Sequence, residues 1–372
     1  MLAENIGATA AVSLPSTNAN LATGRVAAVA AQPVNPLHHP GWDVLVTAHS
    51  NHSFFHGTAW AKVLTGAYDY APIYLTADEA GPVRSLLPLM EVNSWLTGRR
   101  AISLPFTDDC GPLYRDAAPA RRLVQSALEL GKTRQWKSVE FRGGRELFPD
   151  APASVAFYGH SLNLEEDEDR LFARLESSVR RAVRKAEKSD LTVTVSQELE
   201  AMKIFYSLQC KTRKKHGLPP QPFAFFRNIY EHILSNNLGM IAIASWQKHP
   251  IAASVYLQWG GRAIYKYGAS DEAFQQLRGA NLVMWEAIKW LARNGAKTLD
   301  LGRTSIGNEG LRRFKLGWGA QEHKIEYVKY DFRRGAFVTE SDQATGWYNR
   351  LFRALPAGWS RMIGAALYRH CA

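Results

Sequence analysis

The fold is decided by residues 240–267, which read MIAIASWQKHPIAASVYLQWGGRAIYKY. Three apolar runs separated by turn residues predict a three-stranded meander, with strands at Met240–Trp246, Ile251–Trp259 and Ala263–Tyr267. We place the first turn at His249-Pro250 and the second at Gly260-Gly261. Helical periodicity over Ala280–Asn294 and a strand-like run at Thr298–Leu301 complete the unit.

The first half of the chain shows the same order of elements. Its predicted elements are helices at 42–49 and 57–67, strands at 70–77, 83–92 and 101–104, a helix at 118–135 and a strand at 138–142. Arg100-Ala101-Ile102 matches Arg262-Ala263-Ile264, and 137–141 matches 297–301, at a spacing of about 160 residues. The pattern predicts an internal duplication in a mixed α/β fold with largely antiparallel sheets, rather than strict βαβα alternation.

Length and composition agree with two globular domains. The chain has 372 residues, of which 46% are apolar and 21% are charged, and roughly 150 residues make one domain. We predict a disordered N-terminal tail at 1–36, a first domain at 37–165, a basic connecting helix at 166–190, a second domain at 191–335 and a basic amphipathic C-terminal tail at 336–372. The first of these is rich in Ala, Ser, Thr and Asn and has no apolar run typical of a secretory signal.

The charge balance and the cysteines indicate which kinds of partner and which cellular compartment to expect. The 45 Lys and Arg residues exceed the 34 Asp and Glu residues by 11, which favours nucleic acid, anionic lipid or a phosphorylated substrate as a partner. Cys110, Cys210 and Cys371 are isolated, so neither a disulfide framework nor a CxxC pair is predicted. No run reaches the 18 or so apolar residues of a spanning helix. These features predict a cytoplasmic protein.

Two segments concentrate basic residues. Residues 170–188 hold seven basic and two acidic residues beside an apolar stripe, as in a docked, solvated helix. From residue 343 onward there is no acidic residue, while arginines alternate with Trp347, Phe352, Trp359 and Met362. This tail resembles an interfacial helix that would hold the protein peripherally at the inner membrane face, and packing against the core is the alternative.

Four further segments resemble those of FemAB-like proteins of the GNAT acyltransferase superfamily: 178–188, 212–220, 300–303 and 314–320. The resemblance implies two tandem GNAT-like domains. It also implies transfer of an acyl or aminoacyl group to an amine of a cell-envelope precursor, of the peptidoglycan interpeptide-bridge or exopolysaccharide type. It implies no tightly bound cofactor and no metal, an acyl-CoA or an aminoacyl-tRNA as the donor, and a phosphorylated precursor as a partner. The oligomeric state is left open.

Three residues are catalytic candidates. Lys315 lies beside aromatic residues that would strengthen its charge, and the resemblance places it at the transferred carbonyl, whereas a solvated lysine at a helix end is the alternative. Asp108 and Asp109 lie in a turn-rich loop after the third strand. The resemblance makes either one a candidate to orient or deprotonate the amine, although such residues are also common turn formers.

Several residues are candidates for binding the acceptor. Asp300 and Arg303, at a strand end, could border the same cleft or simply pair with each other, and Trp318 could form its aromatic wall. Arg213 matches a family arginine near the phosphates of the acceptor. His216 could be an alternative base or a helix-terminal residue before a glycine cap.

The basic helix supplies three more candidates. Arg181, Arg184 and Lys185 share one helical face. If they hold a phosphorylated ligand, at least one should approach Arg213 or Lys315 on a common concave surface.

The donor site is predicted at the start of the helix after the meander. Arg278, Gly279, Ala280 and Asn281 stand where a helix N-terminus could hold phosphate. Asn281 replaces the last glycine or alanine of the acetyl-CoA pattern, which weakens that assignment, and Gly279 could be an ordinary helix-start residue.

Two other functions stay open at this point. An acetyl-CoA-dependent N-acetyltransferase would bind coenzyme A in one half. A non-catalytic nucleic-acid-binding protein would account for the net charge, although no recognisable nucleic-acid-binding motif accompanies it. His49, His52 and His56 have helix-like spacing but no pattern typical of a metal site.

Overall fold

The computed structural model describes residues 31–77, 84–340 and 352–370. Most of the predicted N-terminal tail, the part of the predicted C-terminal tail that holds Trp347, and Cys371 therefore lie outside the described residues. The end of the predicted tail is corrected, because residues 32–34 form strand β1 (Gln32–Val34). Within the described ranges, no helix combines the length and the apolar character needed to cross a bilayer.

The elements of the first half follow the predicted order. They are α1 (Trp42–Thr47), α2 (Thr58–Tyr68), β2 (Ala71–Pro72), β3 (Tyr74–Thr76), β4 (Ser85–Leu87), β5 (Met90–Ser94), β6 (Gly98–Ile102), β7 (Leu113–Tyr114), α3 (Ala117–Thr133), β8 (Ser138–Arg142) and β9 (Val155–Asn163). Two predicted strands are each divided in two, near Pro72 and at Pro88, because proline cannot donate to a continuous ladder. As a result β3 and β4 form a small sheet with β1 and β7, whereas β2 and β5 stay in the main sheet.

The second half contains longer strands. Its elements are α4 (Glu168–Arg174), α5 (Ser177–Glu187), β10 (Leu191–Ser196), α6 (Leu199–Lys215), α7 (Phe223–His232), β11 (Gly239–Trp246), β12 (His249–Trp259), β13 (Arg262–Ser270), α8 (Gly279–Arg293), β14 (Thr298–Asp300), β15 (Thr304–Ser305), α9 (Glu309–Leu316), β16 (Gln321–Asp331), β17 (Ala336–Val338) and α10 (Ala357–Leu367). The predicted single helix at 166–190 is two helices, because Leu175 has an extended backbone. The first hairpin turns at Gln247-Lys248, not at His249-Pro250, with φ of 47° and 66° as in a type I′ turn.

The internal duplication is visible in the strand register. In the first half β6 runs parallel to β8, and Ala101 pairs with Val139. In the second half β13 runs parallel to β14, and Ala263 pairs with Leu299. The two pairs of short sequence matches thus occupy equivalent places in two copies of one unit.

The two halves exchange their last strands. β9 of the first half pairs with β14 of the second, and β16 of the second half pairs with β8 of the first. β9 and β16 also pair with each other, which joins both halves in one 13-stranded sheet. Because β8 and β14 run toward each other along this central pair, the loops that follow them meet in the middle of the molecule. The predicted domain limits, 37–165 and 191–335, stay predictions.

A shared core reinforces this arrangement. Helix α2 of the first half packs on α7 of the second, and Trp60, Phe205 and Phe225 are buried in the same core. A second core lies between α5, α8 and the long strands, and a third lies under α3. The first core therefore joins the two halves by apolar packing.

Candidate active site

The loop at residues 103–112 carries the two adjacent aspartates and leaves β6 with a strained backbone. Leu104 and Phe106 have φ of 53° and 60°, a conformation that costs free energy for residues with a Cβ. The hydroxyl of Thr107 stabilises the turn by donating to the carbonyls of Ser103 and Leu104, at 3.2 and 2.7 Å. Such strain persists only where surrounding contacts hold the loop.

Three side chains from three different strands hold this loop. Arg142 of β8, Lys266 of β13 and Tyr327 of β16 each donate a hydrogen bond to one of its carbonyl oxygens, at 3.2, 2.5 and 2.7 Å. His56 lies 2.9 Å from a fourth carbonyl, that of Gly111. Because β8 belongs to the first half and β13 and β16 to the second, the aspartates reach their positions only when both halves are folded together.

Asp108 contacts the turn after β14. Its Oδ1 lies 3.6 Å from Nε of Arg303, and Nη1 of Arg303 donates to the hydroxyl of Tyr327 at 2.9 Å. A Cβ at Gly302 would lie 2.7 Å from Oδ2 of Asp108, and the φ of Gly302 is +73°. Glycine is therefore required at this position. The alternative in which Asp300 and Arg303 pair with each other is not found, because Arg303 pairs with Asp108 and Asp300 accepts from the amide of Gly302 at 2.7 Å.

Asp109 is open to solvent and points toward the loop after β8. A Cβ at Gly143, where φ is +106°, would lie 2.2 Å from its Oδ1. The protein atoms around this carboxylate remove part of its hydration, and the charges of Asp300 and Asp108 add to the effect, so the pKa of Asp109 rises to about 7. A carboxyl group with this pKa can accept a proton near neutral pH.

Lys315 is buried at the turn between β14 and β15. It is 4% exposed, so the alternative of a solvated lysine at a helix end is wrong. Its Nζ donates to the carbonyls of Gly302 and Arg303 at 2.8 and 2.9 Å, which leaves one N–H. Burial lowers the pKa of Lys315 to about 8, although the nearby charges of Asp108 and Asp300 oppose the shift.

Lys266 is a site residue that the sequence analysis did not single out. It is the extra residue of a β-bulge, because Val255 pairs with Tyr267 and Tyr256 pairs with Tyr265. Its Nζ lies 5.1 to 5.4 Å from the ring centroids of Phe55, Trp60 and Tyr267. Burial lowers the pKa of this ammonium. The available signal was a single charge inside the otherwise apolar run 263–267.

A groove runs along the start of α8. Its volume is about 600 Å³, and its lining includes Arg181, Lys185, Arg278, Asn281, Arg313 and Phe314. An adjoining pocket of about 230 Å³ shares three of these residues and adds Gly279 and Ala280. A Cβ at Gly279 would lie 3.0 Å from Cδ1 of Ile251, so the glycine lets the helix start close to β12. All four predicted donor-binding residues thus line one connected space, next to the residue that precedes Lys315.

Other predicted site residues lie elsewhere. Arg184 stacks over the ring of Phe172 at 5.5 Å, away from the groove. Arg213 donates to the hydroxyl of Tyr368 at 2.5 Å and does not line the groove of Arg181 and Lys185. Trp318 is buried in the second core and cannot form a cleft wall.

Two histidine predictions can be compared with the structure. His216 is exposed at the end of α6, before Gly217 with φ of +65°, which agrees with the helix-terminal alternative rather than with a base. His56 lies 3.9 Å from Sγ of Cys110, but burial lowers the pKa of His56 to about 4 and raises that of the Cys110 thiol, so the pair stays neutral. In the described ranges no group of three potential ligand side chains could hold a metal ion.

Comparison with known proteins identifies a GNAT domain in the chain and solved structures with a similar fold. Residues 173–325 match the family model described as an acetyltransferase (GNAT) domain. Among solved structures, FemX matches with a TM-score of 0.62 and 16% identity, over 77% of this chain and 94% of its own. Residues 173–325 therefore form a GNAT domain, and the chain shares the fold of FemX. Two further structures agree with this assignment.

A tandem GNAT protein from the clavulanic acid biosynthesis pathway matches with a TM-score of 0.53 and 10% identity, over 81% of this chain and 98% of its own. The C-terminal domain of an Agrobacterium fabrum protein described as a lysylphosphatidylglycerol synthetase matches with a TM-score of 0.51 and 14% identity, over 80% and 91%. No curated protein sequence matches the chain. The predicted family resemblance and the fold class of two tandem GNAT-like domains are confirmed, and the GNAT domain supports acyl transfer as the general reaction class.

Proposed function

We propose that this FemAB-like protein transfers an acyl or aminoacyl group to an amine of a phosphorylated cell-envelope precursor. The observation that carries the proposal is that a residue lining the basic groove directly precedes the buried Lys315 of the charged centre, which Asp108, Asp109 and Lys315 make up. Phe314 lines the groove, and the next residue, Lys315, is fixed at the turn that Asp108 contacts. A donor held by its phosphates in the groove would thus present its carbonyl to this centre.

The groove suits a phosphate-bearing donor. Four cationic side chains line it, Arg181, Lys185, Arg278 and Arg313, and the first-turn amides of α8 add the positive end of a helix dipole. Both candidate donors carry phosphate, acyl-CoA in its pyrophosphate and aminoacyl-tRNA in its backbone. The binding chemistry is therefore common to the two.

The other side of the loop at residues 103–112, which we call the aspartate loop, suits the acceptor. Tyr267 is half-buried, and the charges of Asp108 and Arg213 both act on its hydroxyl. Arg213 is positioned by hydrogen bonds to the carbonyl of Pro219 and the hydroxyl of Tyr368. An arginine held in this way can bind a phosphate of the acceptor while the acceptor amine reaches the aspartates.

The residues divide the chemistry between them. The amine nitrogen forms a bond to the carbonyl carbon of the donor, and Asp109 takes the proton that the nitrogen loses. The carbonyl oxygen becomes negative next to the free N–H of Lys315, which stabilises the tetrahedral intermediate. Collapse breaks the carbon–sulfur or carbon–oxygen bond to the donor, and the leaving group takes up the proton from Asp109. Asp108, paired with Arg303, positions the loop.

A second candidate is acetyl transfer from acetyl-CoA. It is favoured by Gly279, whose close approach to β12 leaves the start of α8 open beside the pocket. Asn281, which stands where the acetyl-CoA pattern has glycine or alanine, lines that pocket and weighs against acetyl-CoA as the donor. Saturable binding of acetyl-CoA by the full chain would favour this candidate.

A transfer assay tests the proposal. The full chain is incubated with an amine-bearing, nucleotide-linked envelope precursor as the acceptor. Acyl-CoAs and aminoacyl-tRNAs are supplied in turn as the donor, and the masses of the products are measured by mass spectrometry. The proposal expects a mass gain equal to one acyl or aminoacyl group on the precursor, lost in Lys315→Met. Transfer that is equally fast with Lys315→Met, or no transfer from either donor class, would contradict it.

A further inference from the structure

The C-terminal helix α10 has one buried face and one exposed apolar face. Ser360 is buried, and Gly364 packs so tightly that a Cβ there would lie 2.0 Å from the carbonyl oxygen of Pro220. On the outer side Trp359 and Met362 are 61% and 66% exposed. The two readings of the tail are therefore compatible, because the helix packs on the core and still presents large apolar side chains to solvent.

A second exposed apolar site lies at the far end of the same helix. Trp95 and Leu96, between β5 and β6, are 86% and 50% exposed. The ring of Trp95 contacts that of His370 at 5.4 Å, and the hydroxyl of Ser94 lies 2.9 Å from Nδ1 of His370. The hairpin and the helix end are thus fixed to each other.

Exposed basic residues lie in the same two segments as these apolar side chains. Arg99, Arg361 and Arg369 are exposed, and neither 94–100 nor 357–370 contains an acidic residue. We call the surface of Trp95, Leu96, Trp359, Met362 and these three arginines the C-terminal patch. The patch holds four of the seven exposed large apolar side chains of the described residues. Exposed apolar side chains are therefore concentrated in the patch rather than scattered evenly over the surface.

We propose that the C-terminal patch docks on an anionic lipid bilayer. Tryptophan is stable at the level of the lipid headgroups, Leu and Met add apolar area that can enter the acyl region, and arginines are attracted to anionic headgroups. A second copy of this chain fits less well, because a symmetric dimer through the patch would bring its arginines against each other with no acidic residue to pair them. The proposal is independent of the transferase chemistry, since no patch residue lines the groove or belongs to the aspartate loop.

Vesicle sedimentation with the full chain tests this docking. Binding to phosphatidylcholine vesicles that contain phosphatidylglycerol should exceed binding to pure phosphatidylcholine by about tenfold or more, and should fall as salt rises. Trp359→Ser with Met362→Ser should weaken binding to the anionic vesicles by about tenfold, because less apolar area is buried. Arg361→Glu with Arg369→Glu should abolish the preference for phosphatidylglycerol.

The matched control is Val44→Ser, which removes an apolar side chain that is 73% exposed on α1, outside the patch. It should bind vesicles as the unaltered chain does, and circular dichroism should show all variants folded. Three results would overturn the proposal: no sedimentation with anionic vesicles, equal losses in the control and the patch variants, or a dimer in analytical ultracentrifugation that the patch substitutions dissociate.

Discussion

The two copies of the repeated unit differ most at the start of the helix that follows their meander. In the second half α8 begins with Gly279 packed on β12, and arginine side chains line the groove beside it. In the first half α3 follows Asp116, a carboxylate that repels phosphate from the helix N-terminus. β13 spans 262–270, whereas the equivalent β6 spans only 98–102.

The difference teaches that the duplicated architecture is used asymmetrically. The first half contributes the loop at 103–112 with its two aspartates, and the second half contributes the basic groove and Lys315. Strand exchange between the halves then fixes the two contributions next to each other. We therefore assign the donor to the second half and the acid–base chemistry to the first.

The largest effect is expected at the first-half aspartate. Asp109→Asn removes the proposed base, and turnover should fall by about 10² to 10⁴ with the donor KM unchanged. In the unaltered chain kcat should rise with pH through about 7, where this carboxyl group loses its proton. Steady-state rates across pH check both points. A variant that keeps full turnover and the same acidic limb would place the base elsewhere.

The next effect is expected at Lys315. Lys315→Met should lower kcat by about 10² to 10³, as for the loss of one oxyanion donor. It also leaves two carbonyls without their donor, so we expect reduced stability as well, and Lys315→Arg serves as the comparison that keeps a cation. Stopped assays and thermal melts of both variants separate the two effects. Equal activity of the methionine variant and the unaltered chain would make Lys315 purely structural.

Sequence patterns predicted the repeat but not the way its copies join. The matches around Ala101 and Ala263 could be recognised in the sequence because each residue lies in a strand that pairs with another strand of the same half. The strand at 155–163 was not recognised, since its partners lie far away in the chain. Pairings of this kind depend on tertiary packing, which local periodicity does not encode.

In the candidate site, too, features that depend on nearby residues were predicted and contacts between distant residues were missed. The groove at 278–281 was predicted, because a helix start after a strand is a local feature. The contact of Asp108 with Arg303 was missed because the two lie in different halves of the chain. The aromatic surroundings of Lys266 were missed for the same reason, since Phe55 and Trp60 belong to the first half.

A glycine at the contact between the halves offers a smaller test. Gly302→Ala would place a Cβ 2.7 Å from the Asp108 carboxylate at a φ of +73°, and should cost about 1 to 3 kcal/mol of unfolding free energy. Gly307→Ala is the control, because nothing lies within 4 Å of a Cβ there. Denaturant unfolding of both variants checks the difference. Equal stabilities would mean that the turn after β14 does not constrain Asp108.

A further prediction concerns how the stability of the chain depends on pH. Asp109 has a pKa of about 7 in the folded chain and about 3.9 when unfolded. Between these values the folded state keeps a proton that the unfolded state releases, so its stability falls as pH rises. The Tm advantage of Asp109→Asn should therefore grow from pH 4 to 7 and stay level above. A gap independent of pH in calorimetry would contradict the raised pKa.

The assignment of donor and acid–base roles to different halves is tested most directly by donor binding at equilibrium. An acyl-CoA or aminoacyl-tRNA that serves in the transfer assay is titrated into three full-length variants, Asp109→Asn, Arg181→Glu and Arg184→Glu. We expect Asp109→Asn and Arg184→Glu to bind the donor like the unaltered chain. We expect Arg181→Glu to bind it about tenfold more weakly, because Arg181 lines the groove and Arg184 does not. Loss of donor binding in Asp109→Asn, or equal losses in the two arginine variants, would contradict the assignment.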